Sequence, residues 1–197
     1  MHEVVPGLHI ADAMSASLSS EAGITHLLNV TPDLPFPGAS GAEFVRWRLP
    51  VDDDISAPLH EHLEAGAAFI DAGINSGGTV CCLCADAKSA SAAVCVFYLM
   101  RFRKLSLAAA LETIFAALPS AQPNVGFFAR LVEAESWLLG TPPSVSLQKY
   151  KWHFLERQPL FAGEAREQVL QQLELGQAEV AALLEVANRR EAQNGGG

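Results

Sequence analysis

The sequence predicts an α/β domain: a central, mostly parallel twisted sheet of about five strands, flanked by helices and followed by a helical C-terminal extension. Two observations predict it. Short apolar runs suited to buried strands alternate with longer stretches of helical periodicity, the pattern of a parallel sheet covered on both faces. The chain has 197 residues, 50% of them hydrophobic, enough for one domain with a substantial core plus an appendage.

The elements follow in order. Val4-Val5-Pro6-Gly7-Leu8-His9-Ile10 reads as a strand or the start of a hairpin. Ala13–Ala22 reads as a short helix closed by Gly23, and Ile24–Val30 as a strand. Pro32 to Gly41 is a Pro/Gly-rich exposed loop. Phe44–Leu49 alternates polar and apolar residues and reads as another strand. After the acidic run Asp52-Asp53-Asp54, Ser56 is a plausible helix cap, and Leu59, Leu63, Ala67, Ile70 and Ile74 lie at helical spacing up to Gly77. Thr79-Val80-Cys81-Cys82-Leu83 is a buried strand bounded by Gly77-Gly78. From Ser91 to Phe102 the chain is apolar nearly all round and ends in Arg101, Arg103 and Lys104; it reads as a buried helix with cations at its C-terminal end. Ser106 caps a helix bearing Leu107, Leu111, Ile114, Phe115 and Leu118. Pro123–Phe127 turns into a last core helix with Phe128, Leu131, Val132 and Leu138.

The chemistry concentrates where the Thr79–Leu83 strand hands over to the buried helix, in Leu83-Cys84-Ala85-Asp86-Ala87-Lys88-Ser89-Ala90-Ser91. Backbone N–H groups at a helix start converge on one point and favour negative charge there. A cysteine aimed at that point would ionise easily. A phosphate held in such a loop needs a forked cation, which means arginine. The loop has none, and the position before Ser91 is Ala90. Losing two charge-assisted hydrogen bonds removes roughly 3–6 kcal/mol of anion binding. Asp86 adds repulsion of roughly 3 kcal/mol if it lies about 6 Å from the anion at an effective dielectric near 20. Lys88 could offset part of this only if its ammonium turns into the loop.

Six further segments carry a resemblance: Val5–Ile10, Gly23–Thr31, Leu49-Pro50-Val51-Asp52-Asp53, Phe69-Ile70-Asp71, Tyr98-Leu99-Met100 and Pro123–Phe127. No single one is specific, but their order and spacing are. Over about residues 3–140 the chain resembles a dual-specificity protein phosphatase domain of the cysteine-based class. A rhodanese-like domain shares the cysteine loop but not the flanking segments. The family's loop reads His-Cys, five residues, Arg, then Ser or Thr. The resemblance therefore makes Cys84 the nucleophile position, Ser91 the following hydroxyl and Asp53 the general acid. It also makes Leu83 the lost histidine, Ala87 a lost loop glycine and Ala90 the lost arginine, with Ala85, Asp86, Ala87, Lys88 and Ser89 filling the loop. A transition-state arginine in phosphoryl transfer is worth on the order of 10³–10⁵ in rate. The resemblance thus implies a pseudophosphatase acting through protein–protein interaction, as a scaffold, competitor or assembly subunit. A weak tyrosine/serine/threonine phosphatase using Cys84 and Asp53, and a phosphoprotein reader that binds without cleaving, are the alternatives.

Each candidate also has a plainer reading. Cys84 could be a buried small hydrophobe, Asp53 part of a solvated turn, and Ser91 a cap for the buried helix. Cys81, Cys82 and Cys84 do not make a metal site, because successive strand residues point to opposite faces and no second Cys/His pair completes four ligands. His60 and His62, two apart, diverge on a helix. Neither metal nor cofactor is expected.

The domain is expected to end near residue 140, with 141–163 a linker and 164–197 a helix and a frayed end. Tyr150, Trp152 and Phe154 interleave aromatics with cations. Val169, Leu173, Val180 and Leu183 belong to an apolar seam with a weak point at Gly176. This seam either folds back on the domain or docks onto a protein partner. A net charge of −9 argues against nucleic acid and anionic membranes, and no stretch of about 18 apolar residues suggests a membrane span. Four cysteines crowded between 81 and 95 do not suit a disulfide framework, so a reducing, cytoplasmic setting is expected.

Overall fold

The computed structural model describes residues 1–18, 22–37 and 44–156. They fall into two units, Met1–Ser146 and Leu147–Gly197, the second described only as far as Glu156.

The first unit is built on the five-stranded sheet the sequence predicts. Strands β1 (His2–Val5) and β2 (Leu8–Ala11) form an antiparallel hairpin. Its turn needs Gly7, whose φ of +85° favours a residue without a Cβ. Strands β3 (His26–Asn29), β4 (Val45–Arg48) and β5 (Val80–Leu83) join in the order β1-β2-β5-β3-β4. All pairings except β1–β2 are parallel. Strand β5 sits at the centre, and all four of its residues are buried, as its unbroken apolar run requires.

Period-two alternation sorts β5 between two layers. Cys81 and Leu83 face a cluster of Ala11, Ala16, Ile24 and Leu27, closed over by Met1, Leu34, Phe36 and Phe44. Cys82 faces helix α2 (Ala90–Arg103), where its thiol reaches the Ser91 carbonyl at 3.7 Å. Helix α2 is buried from Ala90 through Met100 and packs against α1 (Leu63–Asn75), α3 (Leu107–Ala117) and α4 (Val125–Leu139). It is the hub of the helical layer, which explains why it is apolar on every side.

Three local expectations change. Where Ala13–Ala22 suggested a helix, the described residues form only a 3-10 turn, Ser15–Leu18. The Asp12 carboxylate accepts both the Ser15 N–H and its hydroxyl, at 2.7 and 2.9 Å, and this winds the chain tightly. Ser56 caps nothing: its N–H and hydroxyl both bond to Asp54. Pro58 follows, lacks an N–H and disfavours helix at Ala57, so the chain makes a 3-10 turn at Leu59–Glu61 before α1 begins. The stretch 141–163, expected to be a linker, contains helix α5 (Leu147–Glu156), with Tyr150 buried. The seam of Val169, Leu173, Val180 and Leu183 lies outside the described residues.

Candidate functional site

Cys84 directly follows β5, at the C-terminal edge of the parallel strands, where open α/β sheets place their sites. The start of its loop is fastened to the end of β2. The Cys84 N–H donates to the Ala11 carbonyl, and the Ala13 N–H to the Ala85 carbonyl, both at 3.4 Å. The loop then turns through Ala87, whose φ of +63° is the left-handed conformation expected of the glycine it replaces. The left-handed turn at this position therefore persists without that glycine.

Cys84 is only 4% exposed. Ser91 is fully buried on the first turn of α2, and its hydroxyl lies 3.0 Å from the Cys84 sulfur. The sequence left Ser91 either as the hydroxyl following the loop or as a helix cap; in the structure the hydroxyl faces the thiol. Two opposed effects act on that thiol. Burial pushes its pKa up, and the nearby Asp86 carboxylate adds to this. Hydrogen bonds from the Ser91 hydroxyl and from the Ser91 and Asp86 backbone pull it down. Burial wins, so the thiol is held above its ordinary range, opposite to what a reactive nucleophile needs.

Lys88 does not turn into the loop. Its ammonium stands 3.7 Å from the Asp86 carboxylate, with both side chains about half exposed. The Lys88 N–H, one of the loop's potential anion donors, is taken by Asp86 Oδ1 at 3.0 Å. An exposed, paired Asp86 repels an anion less than the sequence estimate supposed, because solvent and Lys88 screen it. What it removes is a donor. Ala90 is 1% exposed and Leu83 fully buried, the latter in the cluster beneath the sheet. Each of the five described arginines is engaged elsewhere. Arg48 bonds to Thr31 and Leu34, Arg101 to Glu64, Arg103 to Tyr98 and Arg130 to Glu133, and Arg46 lies over Phe44.

Asp53 is not merely part of a solvated turn. Its Oδ1 accepts the Ser89 hydroxyl at 2.6 Å and the Asn124 side-chain amide at 2.7 Å. Ser89 in turn accepts the Asn124 backbone N–H at 2.9 Å. Asn124 Oδ1 caps α4 through the Phe127 N–H, also at 2.9 Å. The structure thus sets the Ser91 hydroxyl beside the Cys84 sulfur, and ties Ser89 of the same loop to Asp53. It adds Asn124, and Gly126, where a Cβ would sit 1.8 Å from the Ile55 carbonyl oxygen. An Asn before a helix and a Gly in its first turn were the available signals for these two. Asp54 turns away to Ser56 and Asp52 is exposed. Among the described residues no three His, Cys, Asp or Glu side chains are grouped to hold a metal.

The comparisons with known proteins agree with this geometry. The family model "Dual specificity phosphatase, catalytic domain" matches residues 8–137. Human dual specificity phosphatase 28 is 39% identical over 153 residues, covering 73% of this chain and 86% of that protein. The mouse protein of the same name is 40% identical over 138 residues, covering 68% and 83%. Among solved structures, a mouse putative dual specificity phosphatase complexed with zinc tungstate superposes with a TM-score of 0.66 at 39% identity, covering 71% of this chain and 88% of that one. Human DUSP28 gives the same TM-score of 0.66 at 38% identity, covering 70% and 94%. By fold, by the placement of its cysteine loop and by these matches, the chain belongs to the dual-specificity phosphatase family.

Proposed function

We propose that this dual-specificity phosphatase domain is catalytically degenerate and works through protein–protein contact, as a scaffold, competitor or assembly subunit. One observation carries the reading: Ala90 occupies the position of the phosphate-clamping arginine, and every described arginine is committed elsewhere. The raised Cys84 pKa and the Lys88 N–H bonded to Asp86 push the same way. Four free cysteines, all buried, suit a cytoplasmic setting. No helix of the described residues is long and apolar enough to cross a membrane. For the partner, Trp152 and Phe154 on α5, with the Val169–Leu183 seam, are the proposed contact residues, while Tyr150 on the same helix is buried.

The test is hydrolysis of a generic aryl phosphate by wild type, Cys84→Ser and Ala90→Arg. Wild type is expected to match Cys84→Ser, and Ala90→Arg to gain turnover that a further Cys84→Ser change abolishes. Cys84-dependent wild-type turnover of ordinary size would overturn the reading. A second reading, a reader or weak enzyme that still seats an oxyanion, draws on two observations. The loop keeps the left-handed turn at Ala87 and its Ser91 hydroxyl beside the sulfur, and the mouse relative was crystallised in complex with zinc tungstate, tungstate being a tetrahedral dianion. Tungstate or phosphate titrated against this chain by calorimetry decides it: wild-type affinity equal to that of Ala90→Arg favours the second reading.

A further inference from the structure

Ser89 stands at the N-cap of α2, where serine ordinarily accepts a backbone N–H from the helix's first turn. It makes no such bond. Its hydroxyl reaches across 36 residues of sequence to donate to Asp53, and accepts from Asn124, 35 residues further along. The local cap is given up for a long-range clasp. Asn124 completes it, capping α4 with its oxygen while donating to Asp53 with its nitrogen. Ser89 and Asn124 are both buried, at 5% and 8% exposure. Short bonds to a carboxylate are roughly twice as strong as neutral ones. The Asp53 segment is also pressed directly onto α4, since Gly126 leaves no room for a Cβ beneath Ile55.

From this geometry we infer that Asp53 is a positioning residue: with Ser89 and Asn124 it ties the Cys84 loop to the Asp53 turn and to the start of α4. A loop that lacks an arginine and carries a left-handed Ala87 needs such a tie from outside itself. The clasp joins three remote segments, the Asp53 turn, the cysteine loop and the start of α4, so the mouth of the site is a fixed surface. The inference holds whether or not Cys84 turns over phosphate, and its test involves no turnover.

The experiment compares Asp53→Ala, Asp53→Asn, Ser89→Ala and the double variant Asp53→Ala/Ser89→Ala. The readouts are Tm and the rate at which iodoacetamide labels Cys84, followed by peptide mass. Asp53→Ala and Ser89→Ala are each expected to lower Tm by about 2–4 °C or more. Each should also speed Cys84 labelling by about threefold or more, because local opening exposes the thiol. The double variant should lose less than the sum of the two single changes, since the two side chains share one bond while each also keeps its own bond to Asn124. Asp53→Asn should fall between wild type and Asp53→Ala in both readouts, because its amide oxygen accepts the same two hydrogens without the charge that strengthens them. Wild-type labelling in Asp53→Ala overturns the inference. So does an Asp53→Asn variant as impaired as Asp53→Ala, the pattern of a group needed for its charge. If Asp53→Ala does not fold, a folded Asp53→Asn supports the clasp and an unfolded one overturns it.

Discussion

Ala87 holds a backbone conformation that costs a residue with a Cβ about 1–2 kcal/mol. The surroundings over-determine it: the Asp86 and Lys88 side chains pair across it, and the Lys88 carbonyl accepts the Gln122 N–H at 2.7 Å. Ala87→Gly should therefore raise stability by about 0.5–1 kcal/mol, the strain relieved exceeding the entropy added to the unfolded chain. Urea unfolding with an unchanged slope and a higher midpoint would bear this out; a lower midpoint would mean the loop is not strained. Sequence could name Ala87 as the residue replacing a glycine. It could not say whether the backbone would keep the glycine's conformation, because φ at one position is decided by what holds its neighbours.

Helix α3 illustrates what a whole element asks of distant residues. Its first three N–H groups have no partner within the helix. Ser106 satisfies that of Ala109, as a serine before an apolar stretch predicts. The other two are met from far away: Leu107 by Glu135 Oε1 at 2.7 Å and Ala108 by the Ser144 hydroxyl at 2.9 Å. Glu135 is 1% exposed, and it also accepts the Ser144 hydroxyl and N–H, each at 2.7 Å. A carboxylate suits this place because every group around it donates and the N-terminus of α3 favours negative charge. Glu135→Gln is consequently not conservative. Its amide nitrogen would meet a donor, either on Ser144 or on α3, and the change should cost about 1–3 kcal/mol. Thermal unfolding of Glu135→Gln measures it, and a Tm equal to wild type would show that the cap contributes nothing. Neither Glu135 nor Ser144 carried a sequence signal, since one sits in a helix and the other in a Pro-rich stretch.

At the scale of the molecule, stability should depend on pH through His9 on β2. Its Nδ1 is buried without a hydrogen-bond partner, and burial pushes its pKa below the ordinary histidine value. Glu3 opposes the shift in part, and the N-terminal ammonium adds to it. With the folded pKa lowered, the unfolded chain takes up the proton first as pH falls. The His9 contribution is complete above about pH 6.5 and is lost as pH drops from there through the lowered folded value. Asp12 behaves as a depressed carboxylate, held down chiefly by the Ser15 N–H. Its contribution is present above the ordinary aspartate value and lost at lower pH than that of His9. Comparing Tm from pH 8 to 5 in wild type and His9→Gln isolates the first window: the variant should have the flatter profile, and parallel profiles would rule His9 out.

The α/β class, the central buried strand, the all-round apolar helix behind it, and a cysteine loop ending in Ala90 where a forked cation belongs can all be read from the chain of residues alone. These were legible because hydrophobic period and composition report how each segment meets a core, and because a missing guanidinium is a fact of composition. Packing in three dimensions was needed to turn Lys88 outward to Asp86, to set the Ser91 hydroxyl against the thiol, and to gather Asp53, Ser89 and Asn124 into one knot of hydrogen bonds. A polar side chain's partner depends on which remote segment the packed sheet and helices carry to it, and the residues next to it in the chain do not encode that.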